Sequence, residues 1–323
     1  MAPARRKALH TDRAGRSTSP SQAAPSPDPS GDGVTRSEQV YRELARLARQ
    51  DARASEEPIA FAEYLTRHFL ESFLHRLTKT AHAHDFVLKG GILLAVYGAR
   101  RPTKDVDSEA ISANVTPAHL DQVTRDIAAT LADDGVEFDA ETINIQQIRE
   151  AADYPGLRVR VQARLHTAKG AIVWDVSTGD PIVPAPRAVR VPRVLGEDIE
   201  ILGYAPETAI AEKGVTILER GITSTRWRDY VDIVQLSRSQ LIDPELLRAS
   251  VEAVANHRGV IVEPVSHHLA GYGAIAQPRW AAWRRKAGLA ATSEERLDDQ
   301  VQLVAQLLDP VFGPADEPQT DTP

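Results

Sequence analysis

The residues best suited to chemistry lie between Phe86 and Asp107. A Gly90-Gly91 pair follows the apolar run Phe86–Leu88, and downstream stand two aspartates, Asp105 and Asp107, separated by one residue. On a β-strand, side chains two apart project to one face, so this spacing predicts convergent carboxylates. Paired oxygen donors suit Mg²⁺, which otherwise keeps waters and substrate phosphates as ligands. The glycines let backbone N–H groups come close to those phosphates. Taken alone, the stretch also fits a plain turn followed by two solvated strand acids.

Three further segments add to it. Asp175 sits inside the β-prone run Ala171-Ile-Val-Trp-Asp175-Val, where an unpaired carboxylate is costly to bury. It is expected to complete a three-carboxylate cluster, the alternative being a structural cap on the turn that follows; Asp180 reads as a turn residue. Lys213 and Thr216 share one face of an expected helix, with Arg220 four residues further on. A cation on that face would neutralise the β- and γ-phosphates of a triphosphate. In Arg226-Trp-Arg228-Asp229-Tyr-Val-Asp232-Ile233, either Asp229 or Asp232 is placed to orient Lys213 or to meet nucleotide. The plain alternative is a helical Arg228–Asp232 ion pair.

Positioning these residues requires a sheet and helices. Strand signals cover Phe86–Leu88, Asp105–Ala110, Val136–Ile145, Leu157–Leu165 and Ala171–Val176. Helical periodicity begins at Ser37, and a second helix is expected over Pro58–Thr80, with an apolar stripe of Phe61, Leu65, Phe69, Phe73 and Leu77 that reads as core. Further helices are expected at Thr116–Ala132, Pro206–Arg220, Trp227–Arg238, Pro244–Asn256 and Glu294–Leu308, with the proline-rich stretch Pro181–Pro192 as a connection. Strands mixed with helices in this way predict a mixed sheet covered by helices.

The 323-residue chain carries a formal charge of −7 and no cysteine, which excludes disulfides and thiolate metal sites. No apolar run approaches the roughly 20 residues of a membrane span, no apolar segment follows the basic residues near the N-terminus, and cytosol is the default expectation. Residues 1–36 hold six basic and three acidic side chains, leaving 32 basic against 42 acidic in the remainder. A polynucleotide substrate therefore requires a local basic patch. Arg158, Arg160 and Arg164 alternate along one strand, and Trp280 and Trp283 stand among Arg279, Arg284, Arg285 and Lys286; these are the two candidates. His267 and His268 are adjacent with no partner at metal spacing.

These pieces, in this order, resemble the AbiEii/AbiGii nucleotidyltransferase-like toxin family of the DNA polymerase β superfamily. The resemblance runs from about Phe86 to Leu236. It rests on Lys89-Gly90-Gly91 with Arg101 to Asp107, on Asp175 to Asp180, on Lys213 to Gly221, and on Arg228 to Ile233. It implies an α+β fold, with a polymerase β-like nucleotidyltransferase core on a mixed β-sheet followed by a C-terminal helical region. The expected divisions are a disordered tail (1–36), the core with N-terminal helices (37–195), a mainly helical domain (196–312) and a flexible tail (313–323).

By the same resemblance, Asp105 and Asp107 are metal ligands, Gly90 and Gly91 hold phosphate, Lys213 meets the triphosphate, and Asp229 or Asp232 is an essential acid. Lys89, Thr103, Thr216 and Arg220 are expected to border the nucleotide. Two positions depart from the family pattern. Gly91 stands where Ser is frequent, which removes a hydroxyl from the phosphate site, and Ser108 stands where an apolar residue is frequent, which predicts a locally altered sheet.

Family members are toxins paired with an antitoxin, often a transcriptional regulator or a protein kinase, and some resemble enzymes that extend tRNA 3′ ends. The expected activity is Mg²⁺-dependent transfer of NMP from an NTP to a tRNA 3′ end, blocking translation. That acceptor follows from resemblance alone. A protein or small-molecule acceptor, or a non-catalytic nucleotide-binding scaffold, are the alternatives. Phosphorylation of Thr103 would add roughly −1.5 to −2 charge beside the acids and disturb metal and nucleotide binding.

Overall fold

Seven strands form one mixed sheet in the order β3-β4-β5-β2-β1-β7-β6. They are β1 (Phe86–Lys89), β2 (Val106–Ala110), β3 (Glu137–Ile148), β4 (Gly156–Leu165), β5 (Ala168–Thr178), β6 (Arg187–Val191) and β7 (Ile199–Gly203). The computed structural model describes residues 34–55, 58–111, 115–148 and 156–313. Most of the expected tail (residues 1–33) and residues 314–323 lie outside these; α1 already begins at Arg36. Neighbouring strands run antiparallel except for β2 with β5 and β1 with β7, which are parallel.

Two strands were not anticipated. β6 lies within the proline-rich stretch read as a connection, and β7 follows residue 195, so the sheet continues past the boundary drawn from the sequence. Both start or end beside Gly or Pro, signals that read as a connection.

One face of the sheet is apolar. Alternation along β1, β2 and β5 sends Phe86, Leu88, Val106, Trp174 and Val176 to this side, all of them buried. Against it pack α1 (Arg36–Ala54), α2 (Phe61–Leu77) and α4 (Pro117–Ala129). Thr35 and Thr116 cap α1 and α4 through their side-chain oxygens, and Pro117 opens α4. The expected stripe of α2 is core at Phe69, Phe73 and Leu77 and half-buried at Phe61 and Leu65. The Trp174 ring meets Phe73 and Phe86 edge-on, at 5.4 and 4.7 Å, and its indole N–H donates to Ser108 Oγ at 3.1 Å. This bond accounts for a serine at a buried strand position, and the β1–β2 register runs through Leu88↔Ser108 without a shift, so no local alteration of the sheet occurs there.

After β7 the chain is helical. α5 (Pro206–Arg220), α6 (Trp227–Ser239), α7 (Pro244–Arg258), the short α8 (Val265–His268), α9 (Tyr272–Ala287) and α10 (Leu297–Phe312) pack on one another. The described residues from Thr35 onward form one compact unit. Between β1 and β2 lies α3 (Gly90–Val96). Among the described residues, no helix is long and apolar enough to cross a membrane.

A buried charge pair ties α2 to the loop before β3. Asp134 accepts from Arg76 at 2.7 Å, from Ser72 Oγ at 2.6 Å and from the Val136 N–H at 3.0 Å. Burial alone would raise the Asp134 pKa, but the Arg76 and Ser72 hydrogen bonds outweigh it and hold the carboxyl below its usual range. A folded pKa below the unfolded one contributes stability that is full above about pH 4 and fades as pH falls through the folded value. Asp134→Ala strands the Arg76 guanidinium in the interior. We expect a loss of about 3–5 kcal/mol at neutral pH in urea denaturation, narrowing as the pH is lowered.

Candidate active site

The opposite face of the sheet carries a row of charge. In register across four adjacent strands stand Lys89 (β1), Asp107 (β2), Asp175 (β5) and Arg158 (β4). Strand pairing alone therefore sets two carboxylates side by side, with a cation flanking each end. Asp105 joins them from outside the sheet: β2 begins at Val106, not at Asp105 as the spacing predicted, so this carboxylate is delivered by the loop rather than by the pleat. Oxygens of Asp105, Asp107 and Asp175 all lie within 4.8 Å of one another. Thr103 Oγ1 donates to Asp105 at 3.3 Å, and Arg158 donates to both oxygens of Asp175, at 2.7 and 2.6 Å.

Burial, then the neighbouring Asp105 and Asp175, push Asp107 up to about 6, against partial relief from Lys89 and Lys213. The donor set is entirely oxygen, it gathers surplus negative charge, and carboxylates retain lone pairs beyond those taken by an arginine fork. These properties fit a divalent cation of the Mg²⁺ type.

Gly90 makes the arrangement sterically feasible. Its φ is +68°, and a Cβ built there would lie 1.9 Å from Asp107 Oδ2. Gly91 faces elsewhere: its Cβ would meet Thr103 Oγ1 at 2.3 Å, and both residues line a small adjoining pocket bordered by Arg67 and Arg100. The hydroxyl absent at Gly91 is thus replaced in space by that of Thr103.

The remaining wall of the cleft, whose volume is about 680 Å³, comes from the helices. α5 contributes Glu212, Lys213 and Thr216, Arg226 stands just before α6, the first turn of α6 adds Arg228 and Asp229, and α9 adds Trp283. Lys213 Nζ donates to Asp229 at 2.8 Å and to Asp232 at 2.9 Å. Burial opposes the Lys213 charge, but Asp229 and Asp232 more than offset it and raise the pKa. Burial likewise opposes the Asp229 charge, while Lys213 and Arg226 hold that carboxyl below its usual range. Asp232 is 2% exposed, does not line the cleft, and also binds Arg101 at 2.9 and 3.2 Å. Asp229 is therefore the acid that borders the cleft, and Asp232 holds Lys213 and Arg101 from behind. Its partners are these two cations and not Arg228, so the alternative of a simple helical Arg228–Asp232 pair does not hold.

Lys89, expected to border nucleotide, lines the cleft, with its ammonium held by carboxylates. It donates to Glu109 at 2.9 Å and to Glu212 at 3.1 Å, and lies 5.5 Å from the centre of the Tyr204 ring. Asp180, read as a turn residue, is buried and forms a fork with Arg258 of α7 at 3.0 and 2.6 Å, and its N–H donates to Glu109. Arg258 also donates to Thr216 Oγ1 at 2.9 Å. Glu109, Glu212 and Arg258 escaped the sequence reading. The only available signal was Glu109 itself, two residues beyond Asp107 and therefore on the same strand face.

Arg220 does not reach the site. It shares a helical face with Lys213 but lies seven residues on, about 10 Å further along the axis; it is exposed and its nearest carboxylate is Glu219 at 4.0 Å. Of the two tryptophans, Trp280 is core, whereas Trp283 is half-buried, stacked on Trp280 at 5.3 Å, and borders the cleft. Arg284 is occupied with the Ala290 and Ser293 carbonyls.

Two substitutions separate these positions. Asp232→Ala leaves Lys213 and Arg101 short of a carboxylate in the interior, with an expected loss of about 3–5 kcal/mol by chemical denaturation. Arg220→Ala is expected to stay within about 0.5 kcal/mol of wild type in the same measurement.

A family model for the nucleotidyl transferase AbiEii toxin of type IV toxin–antitoxin systems matches residues 72–303. No curated protein matches the chain. Among solved structures, JHP933 from Helicobacter pylori is 12% identical, with 77% of this chain and 91% of that chain covered, at a TM-score of 0.45. A second H. pylori structure is 13% identical, with coverages of 79% and 96%, at 0.46. An antigenic nucleotidyltransferase-like protein from Paracoccidioides brasiliensis is 14% identical, with coverages of 60% and 89%, at 0.34. The family match spans well over half of the sequence and takes in the glycine turn, all three clustered carboxylates and the helices that face them: the chain belongs to the AbiEii nucleotidyl transferase toxin family.

Proposed function

We propose that the cleft transfers NMP from an NTP to an acceptor hydroxyl, with release of pyrophosphate, and that the acceptor is a tRNA 3′ end whose modification stops translation. The observation that carries this reading is the convergence of Asp105, Asp107 and Asp175 opposite the Gly90 turn and the Lys213-bearing helix. On this reading the three carboxylates hold Mg²⁺, which supplies charge neutralisation at the triphosphate and acidifies the attacking hydroxyl. Lys213, kept protonated by Asp229 and Asp232, stands ready for charge that develops on the leaving pyrophosphate. Gly90 leaves the turn open, and Trp283 offers a flat apolar surface for a nucleobase.

A polynucleotide acceptor is favoured by one further feature. Arg158, Arg160 and Arg164 occupy alternate, exposed positions of β4 and run outward from Asp175 over roughly 20 Å. This is a local basic track on an acidic protein, suited to a phosphate backbone. In the cell, the protein acts in the cytoplasm as the toxin of a pair, held in check by a cognate antitoxin.

The test is incubation with each labelled NTP and total tRNA. Wild type is expected to label RNA, and Asp105→Ala to lose at least about 10³-fold in rate while remaining folded, in line with loss of a metal ligand. Arg160→Glu with Arg164→Glu should raise KM for RNA and leave that for NTP unchanged. Labelling of protein in place of RNA, or growth inhibition unaffected by Asp105→Ala, would favour a protein acceptor or a non-catalytic scaffold respectively.

A further inference from the structure

A second cluster of ligating side chains lies at the far end of the β1–β2 pair. His82 and Asp85 belong to the turn between α2 and β1, and His119 comes from the first turn of α4. One donor atom from each lies within 4.8 Å of the other two. The three are half-buried, and the rings of His82 and His119 meet edge-on with centroids 5.3 Å apart. Both nitrogens of His82 face carboxylates: Nδ1 is 3.1 Å from Asp85 and Nε2 is 3.4 Å from Asp126, seven residues along α4 from His119. A ring held in this way can ligate through one nitrogen while a carboxylate orients the other, the usual support of a metal-bound histidine.

We propose that His82, Asp85 and His119 form a binding site for one transition-metal ion of the Zn²⁺ class, with Asp126 orienting His82 and water completing the shell. The donor chemistry distinguishes it from the acidic cleft. Two imidazoles and a carboxylate favour Zn²⁺ over Mg²⁺, whereas an all-carboxylate set favours the harder ion. Donors about 2.0–2.1 Å from a tetrahedral ion lie roughly 3.3 Å apart, so small rotamer adjustments close the cluster. The other paired histidines, His267 and His268, meet only Glu263 and supply no third ligand type from another element.

The site has a structural purpose. Asp85 immediately precedes β1, and its carbonyl accepts from the N–H of Ile111, immediately after β2. A cation there pins α4 and the preceding turn to the root of the two strands whose other ends carry Gly90 and Asp107, about 13 Å away.

The experiment uses the full chain without an affinity tag, stripped with chelator and titrated with Zn²⁺ by calorimetry in excess Mg²⁺. Co²⁺ is followed in parallel by visible absorption. Expected are one equivalent of Zn²⁺, a Co²⁺ spectrum of low coordination number, and a rise in Tm on adding Zn²⁺. In His119→Asn, and in His82→Asn with His119→Asn, affinity should fall at least 100-fold and the Tm rise should vanish. Asp105→Asn should keep all three signals. Absence of stoichiometric Zn²⁺ binding in wild type overturns the proposal, as does undiminished binding in folded His119→Asn, or loss in Asp105→Asn alone. None of these outcomes depends on nucleotidyl transfer.

Discussion

Three carboxylates gathered on one face of a sheet repel one another, and much of the surrounding structure offsets that repulsion. At the separations seen here, each pair costs on the order of 3 kcal/mol at an effective dielectric constant near 20. Burial first, and then this repulsion from Asp105 and Asp175, raises the Asp107 pKa. The compensating charges come from every direction: Arg158 from the neighbouring strand, Lys89 from the other side, and Lys213 and Arg101 from above. Lys89, Lys213 and Arg101 are largely buried, and Arg158 stands at the exposed rim. Each is fastened by a carboxylate, Asp232 serving both Arg101 and Lys213 and Asp175 itself holding Arg158, so the site is a lattice of alternating charge rather than three acids in a pocket.

This explains why the C-terminal helices are inseparable from the chemistry. Glu212 and Lys213 on α5, Asp229 and Asp232 on α6, and Arg258 on α7 form a continuous polar layer between sheet and helices. Buried pairs of this kind contribute little net stability compared with apolar packing, because desolvation consumes most of the Coulomb gain. Their value lies in position. A lysine gripped by two carboxylates has one orientation, and that orientation is fixed before any ligand arrives.

Much of this was legible in the sequence because it rests on local periodicity. The strand acids Asp107 and Asp175, the first glycine of the pair and the one-face placement of Lys213 and Thr216 translate directly into direction, whereas Asp105 reaches the cluster from the loop before β2 and not by strand spacing. What failed to show were partnerships across long separations. Lys89 reads as a residue bordering nucleotide, and its partners Glu109 and Glu212, 20 and 123 residues away, show only in three dimensions. Asp180 looks like a turn residue until Arg258 reaches it from α7. Arg220 illustrates the converse, since sharing a helical face guarantees nothing about height along the axis. The strands β6 and β7 were missed because prolines bracket the first and a glycine closes the second, signals that read as a connection.

Gly90 and Asp107 fill each other's space: the volume a methyl group would take at the first is occupied by the carboxylate of the second. No larger residue at position 90 is admissible while position 107 keeps its acid, and shortening position 107 to make room removes the acid itself. A substitution at position 90 therefore reaches the acidic cluster as directly as one at position 107, although it carries no charge of its own.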